Sequence, residues 1–395
     1  MPRSTFTILA DISDEAYQER ILPHVSRTFA LTIPELPPEL RRAVTSAYLL
    51  CRIADTIEDE PALCAEDTYR YLKRFAAVVA GHEDPAPLAR EVAAHLSERT
   101  LPAERDLVRN MERVIRMTGR LGPEQRTAVR RCINLMCYGM HHFQRTASLS
   151  GLGRLADLDS YCYYVAGVVG EMLTELFCSH SAGAAEHRGS LRELATSFGQ
   201  GLQMTNILKD LWEDRSRGAC WLPREVFARH GIDLSGLQPL PFDPRFGAAL
   251  KELVGIAHAH LRNALAFTLL IPRDQPGIRR FCLWSIGLAV LTLRSIVRRP
   301  EFTSGADVKV SHAAVAVTRL ATSVFARSDR TLVRLFEWAG RDLPAAAPNE
   351  ASRHSRAASI AAQEFQAVME HPPEAEVVSM RFGRVPFRSD GSAAP

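Results

Sequence analysis

The chain predicts an all-α fold, a single helical domain packed around a central cavity. Three observations predict it. Apolar residues recur at helical spacing through most of the stretch from residue 38 to 345. Gly and Pro cluster between those segments, at His82–Pro87, Gly151–Gly153 and Gln238–Pro244. No hairpin dipeptide lies between alternating apolar runs, so strands are not expected.

Glu39–Glu58 contains no Gly or Pro, and Val44, Ala47, Tyr48, Cys51 and Ile53-Ala54 follow a helical period. The same reading gives helices over Ala65–Ala80, Ala103–Gly119, Glu124–Thr146, Asp159–Ser179, Ser190–Asp214, Phe246–Leu269 and Gln275–Arg299. No repeat of fixed period occurs. Residues 1–345 read as the helical domain. Residues 346–395 are rich in Ala, Pro, Ser and Arg and read as a poorly ordered tail, with one short helix near Ser355–Met369.

With 48 basic and 45 acidic residues in 395, the net charge is +3. The basic pairs are scattered, which argues against a nucleic-acid partner. Eight cysteines include no C-x-x-C pair, and several sit in apolar stretches, as reduced buried thiols do. The N-terminus is not a secretory signal, and the longest apolar window, around Leu283–Leu293, is too short to cross a bilayer. A cytoplasmic enzyme is expected. The adjacent His141 and His142 point to different faces of a helix and read as structural.

Two acidic patterns carry the chemistry. Asp55 and Asp59 lie one turn apart on one helix face, with Glu58 beside them. Like charges at this spacing destabilise a helix unless a cation sits between them, and Mg²⁺ is the natural candidate. Alone, such a quartet is an ordinary solvated helix face. Gln203, Asn206, Asp210 and Asp214 make a second polar stripe on a helix flanked by Leu, Met, Ile and Trp. Alone, it is an ordinary amphipathic helix. Together, D-x-x-x-D helices 155 residues apart can face each other across a cavity and hold magnesium against a diphosphate. Arg27, Arg52, Lys209 and Arg217 are the nearby cations for further phosphate charge. That arrangement suits ionisation of an allylic diphosphate in a dry pocket. In Tyr161–Gly170, YCYYVAGVVG, the aromatics could wall a hydrocarbon cavity, with Val165 and Gly170 on the substrate side. Gly167 and Gly170 fit close approach by a ligand or, equally, a tight helix contact.

These motifs resemble the squalene/phytoene synthase family. Ser26–Leu31, SRTFAL, is similar to its entry motif, Asp55–Asp59 to its first aspartate-rich motif, Tyr161–Gly170 to its central signature, and Gln203–Asp214 to its second aspartate-rich motif. The resemblance spans residues 26 to about 320. It implies an isoprenoid-synthase helical bundle and a transferase joining two prenyl diphosphates head to head. By motif match, Asp55, Glu58 and Asp59 bind magnesium from one side, and Asn206, Asp210 and Asp214 from the other. Ser26, Arg27, Arg52 and Gln203 contact diphosphate, and Tyr161 acts near the cation in proton transfer.

Ile278–Cys282, Gly287–Leu293 and Gly218–Pro223 look more like the squalene branch than the phytoene branch. Phe302–Ser311, FTSGADVKVS, resembles that branch's NADPH segment. Lys309 matches, and Ser311 stands where eukaryotic members carry arginine; Arg27 and Arg52 complete the implied cofactor contacts. There is no GxGxxG loop, so NADPH would bind outside a Rossmann domain. The implied substrate is farnesyl diphosphate, with transient contact at a membrane surface for release of a greasy product. The membrane-spanning tail of eukaryotic members is not matched, which points to a bacterial source. Open alternatives are a phytoene or dehydrosqualene synthase, an enzyme stopping at presqualene diphosphate, and a non-catalytic relative acting as a binding factor.

Overall fold

The computed structural model describes residues 12–26 and 29–345. Arg27, residues 346–395 and the helix expected near Ser355–Met369 lie outside the described residues. The described chain is helical. It holds no strand, and the one isolated bridge pairs Leu152 with Pro223.

In chain order the main helices are α1 Asp14–Val25, α2 Pro38–Glu58, α3 Ala65–Ala80, α4 Pro85–His95, α5 Pro102–Arg109, α6 Met111–Gly119, α7 Pro123–Gln144 and α8 Leu155–Cys162. A wide π-type turn, Tyr163–Gly167, joins α8 to α9, Val168–His180. Then follow α10 Arg188–Lys209, α11 Leu211–Ser216, α12 Arg224–Arg229, α13 Pro244–Leu270, α14 Pro276–Arg298, α15 His312–Phe325 and α16 Asp329–Gly340.

Local chemistry sets the boundaries. Proline occupies the first helical position of α2, α4, α5, α7, α13 and α14, where its missing N–H costs nothing. The Asp243 side chain accepts from Arg245 N at 2.8 Å to start α13. Three expectations need correction. The region around His82–Pro87 reads as a connection, yet Asp84-Pro85 is a cap followed by a first-turn proline, and α4 begins there. The helix expected over Ala103–Gly119 breaks at Asn110, whose side chain donates to Asp106 O at 2.9 Å. The helix expected to run through Asp214 ends at Lys209, with Asp210 at the junction to α11 (φ −95°, ψ 15°).

Two helices organise the bundle. α2 packs on α1, α3, α5, α6, α7 and α9, whereas α10 packs on α8, α9, α13 and α14. α10 is approachable from several sides because its buried face carries Ala195, Ser197, Gly199 and Gly201. A Cβ on Gly199 would sit 2.1 Å from Ala166 O in the wide turn, and one on Gly170 would sit 2.0 Å from Ala195 O. The glycines of the Tyr161–Gly170 segment therefore serve helix contact. The helix containing the Leu283–Leu293 window extends over 23 residues, so both α13 and α14 are long and apolar enough to cross a membrane by length and composition. Their apolar windows are 72% and 61% buried within the bundle. All eight cysteines are unpaired, as expected. His142 stacks on Tyr138, and His141 meets the Tyr69 ring at a tilt of 31°.

Gly199→Ala forces a methyl into the Ala166 carbonyl. We expect a loss of about 2 kcal/mol in stability, the usual scale for overpacking, read from urea unfolding midpoints.

Candidate active site

α2 and α10–α11 border one cavity of about 1180 Å³. Small-molecule pockets usually enclose about 300–1,000 Å³, so this space exceeds the need of one drug-sized ligand. Asp55, Glu58 and Asp59 line it from the C-terminal end of α2, and Asn206, Asp210 and Asp214 line it from the α10–α11 junction. Its apolar walls include Phe29, Val44, Met136, Met140, Val169, Leu173, Phe198 and Phe281.

The two acidic rows confront each other electrostatically. Burial pushes Asp214 up to about 6, and Asp210 and Asp59 add to that rise, against the opposing Arg217. Burial likewise drives Asp55 up to about 7, reinforced by Asp59 and Glu104 and opposed by Arg52. Glu58 is pushed well above the usual carboxylate range by desolvation and by both neighbouring aspartates, and Asp59, although solvent reaches it, is raised chiefly by desolvation from the protein around it. Arg217 spans the gap. It holds Asp214 at 2.5 Å and lowers Asp59 and Glu58 on the opposite side.

Seven carboxylates line the cavity (Asp55, Glu58, Asp59, Glu60, Glu104, Asp210 and Asp214) against four basic side chains (Arg52, Arg99, Lys209 and Arg217). Crowded carboxylates short of cations and partly removed from water are the donor chemistry that a hard divalent ion satisfies. Among the described residues, no group of three or more His, Cys, Asp or Glu side chains is arranged to hold an ion unaided. Mg²⁺ is commonly held by one or two carboxylates with substrate phosphates completing the shell.

Arg52 pairs with Glu104 and lies 3.6 Å from Asp55. Burial works against its charge, but Asp55 and Glu104 more than offset that cost and hold the guanidinium protonated. Lys209 lies 3.1 Å from Asp210. Gln203, Val165 and Gly170 also line the cavity.

Tyr161 is buried at the cavity edge, its ring stacked on Trp221 with centroids 4.2 Å apart and planes 11° apart. Phe143 meets it edge-on at 5.3 Å. Burial, then Glu58, raises its phenol well above the usual range, so it stays neutral. A local clasp delivers Trp221. Leu152 N–H donates to Leu222 O at 2.9 Å, and Arg224 N–H donates to Leu152 O at 2.8 Å. Gly151, at φ +77°, makes that approach feasible, since a Cβ there would sit 2.4 Å from Leu222 O.

Other predicted positions fall elsewhere. Ser26 is buried after α1, and its hydroxyl accepts from Phe29 N at 2.9 Å, holding the chain that brings Phe29 to the cavity. Lys309 and Ser311 are exposed and do not line the cavity. Ser311 instead caps α15, accepting from Ala314 N at 3.2 Å. The segment before them does reach the rim. Trp212 Nε1 donates to Phe302 O at 2.7 Å, and Gly305 N–H donates to Glu213 Oε1 at 2.8 Å, next to Asp210.

Sequence reasoning missed Glu104 and gave no role to Trp221. Glu104 reads locally as a third-position helix-start acid and reaches Arg52 only through packing. Trp221 stands in the quoted GACWLP segment, and nothing in that segment announces its partner Tyr161.

The family model for squalene/phytoene synthase matches residues 22–340. The squalene synthase of Candida albicans (strain SC5314) is 28% identical over 333 residues, covering 80% of this chain and 68% of that protein. That of Saccharomyces cerevisiae (strain S288c) is 29% identical over 329 residues, covering 82% and 69%. Among solved structures, that of TcSQS with the ligand BPH1237 superposes with a TM-score of 0.67 at 26% identity, covering 89% of this chain and 99% of that one. A dehydrosqualene synthase in complex with a ligand shares the fold, with a TM-score of 0.59 at 22% identity, covering 80% and 97%. With its helical architecture and motif order accounted for, the chain belongs to the squalene/phytoene synthase family and is a prenyltransferase.

Proposed function

We propose that the protein condenses two farnesyl diphosphates head to head through presqualene diphosphate and, with NADPH as reductant, yields squalene. The observation that supports this most is the pair of acidic rows, electrostatically linked through Asp59, Asp214 and Arg217, across a cavity large enough for more than one hydrocarbon chain.

In this reading Asp55, Glu58 and Asp59 hold magnesium from one side, and Asn206, Asp210 and Asp214 from the other. When bound, the metal supplies positive charge to the departing diphosphate. Arg52, Lys209 and Arg217 take further phosphate charge, and Gln203 offers its amide to the same oxygens. Ser26 and Arg27 are read, by motif match, as further diphosphate contacts. The apolar walls, Val165 and Gly170 among them, exclude water from the allylic cation. Its carbon is attacked by the double bond of the second substrate, and loss of a proton closes the cyclopropane. Tyr161, a neutral phenol, relays that proton through its O–H to the released diphosphate, and its ring with Trp221 offers π-faces to the cation. It does not act as a phenolate base.

NADPH, when bound, supplies the hydride that distinguishes squalene from dehydrosqualene. The Phe302–Lys309 segment, anchored beside Asp210, supports a nucleotide contact at the rim, with Lys309 the cation available to its phosphates. Ser311, engaged as a helix cap, is a weaker contributor. A hydrocarbon this apolar leaves for a bilayer, so the enzyme is read as cytoplasmic and peripheral to a membrane.

Purified protein incubated with farnesyl diphosphate and Mg²⁺ should give squalene with NADPH. Without NADPH it should accumulate presqualene diphosphate or dehydrosqualene. The same hydrocarbon with and without NADPH would sink the reductive step. Asp59→Ala and Asp214→Ala should each lower kcat at least about 100-fold, the scale of losing transition-state charge stabilisation, while keeping the helical circular dichroism. Tyr161→Phe should slow presqualene diphosphate formation about 100-fold. An unchanged rate removes it from proton transfer.

The raised carboxylates set a pH dependence. Asp55 at about 7 and Asp214 at about 6 bind protons more tightly in the folded state than in the unfolded one. Their contribution to stability is present below the unfolded range near 4 and is lost as pH rises through 6 and 7. Magnesium, by favouring the ionised carboxylates, should raise Tm more at pH 8 than at pH 5. Asp55→Asn should flatten the pH slope in metal-free buffer. Equal magnesium shifts at both pH values in differential scanning calorimetry would count against the metal assignment.

A further inference from the structure

α15 carries a single buried residue, Thr322. Its apolar residues at 313, 317, 320 and 324 share one helical face, and Val317, Leu320 and Val324 are 65%, 67% and 63% exposed. Exposed apolar stripes of this kind mark interaction surfaces.

The surrounding charge indicates the occupant. No Asp or Glu occurs between Asp307 and Asp329, whereas Lys309, Arg319 and Arg327 do. On α16 the exposed residues Arg330, Arg334 and Trp338 follow at four-residue spacing. An apolar helix face bordered by cations, with an exposed tryptophan on the next helix, is the pattern of a surface that lies on an anionic bilayer.

The position suits such a role. α15 backs α14 closely, since a Cβ on Gly287 would meet Thr318 Cγ2 at 2.6 Å. α14 also contributes Phe281 and Ser285 to the cavity. α14 and the body of α15, about 20 Å together, therefore lie between the stripe and the hydrocarbon space.

We propose that the α15 stripe and its flanking arginines form a docking face for an anionic lipid bilayer, seating the cavity beside the membrane that receives its product. This deepens the peripheral-membrane reading above and rests on it for its purpose, but the binding itself needs no turnover.

The test uses the full chain with vesicles of phosphatidylcholine, alone or with about a third phosphatidylglycerol, read by co-sedimentation. Wild type should sediment with the anionic vesicles and be released by high salt. The triple variant Val317→Glu, Leu320→Glu, Val324→Glu should bind at least tenfold more weakly while keeping its helical circular dichroism and its rate in detergent. Wild type remaining in the supernatant, or equal binding by the variant, overturns the proposal. So does light scattering that shows a wild-type dimer and a monomeric variant with unchanged vesicle binding, because the stripe then belongs to a second copy. Loss of prenyl transfer with intact vesicle binding would instead indict the catalytic reading alone.

Discussion

Carboxylates packed into a cavity that cannot solvate them fully are the constraint on which this molecule turns. Charge separation in water is cheap, and a helix bearing Asp55, Glu58 and Asp59 would ordinarily face solvent. Here burial lifts these groups, and the opposing row lifts Asp214 as well. Carboxylates gathered in this way repel one another unless cations meet them. Cations relieve that repulsion, and the protein supplies too few of them. In the proposed function, a diphosphate carried with divalent metal brings those counterions.

The rest of the bundle maintains that confrontation. α2 and α10 each pack on several neighbouring helices, and the acidic rows lie at or just beyond their C-terminal ends. Small residues on α10 let α9 and α13 close against it, and the Ser197 hydroxyl, held by His260 Nδ1 at 2.8 Å and Asn263 Nδ2 at 2.9 Å, ties α13 in place. The wide turn at Tyr163–Gly167 interrupts the helical ladder where Ala166 meets Gly199. Such turns are common at functional sites because they shift side-chain register without ending the helix. Tyr161 sits one turn ahead of it, stacked on a tryptophan delivered by a separate loop clasp.

The cavity is polar at one end and apolar through the rest, as suits an ionised headgroup on a hydrocarbon chain. The ion-paired arginines add a further layer. Arg52 is shared between Glu104 and Asp55, and Arg217 between the two rows, so both are held among the cavity carboxylates, where the proposed function puts phosphate charge. Preorganised donors of this kind stabilise developing charge without reorganisation during the reaction.

Residue spacing was enough to read the all-α class and most helix spans, and spacing together with the resemblance to squalene/phytoene synthases named thirteen cavity-lining positions from Arg52 to Arg217, because helical period and motif chemistry are local properties. Packing decided the remainder. It broke the helix at Asp210, enlisted Glu104 for Arg52, brought Trp221 to Tyr161, turned Gly170 and Gly199 into helix contacts, and left Lys309 and Ser311 outside the cavity. The pairings among these outcomes join residues tens of positions apart. Their energies depend on distance and burial in three dimensions, which no local pattern of residues encodes.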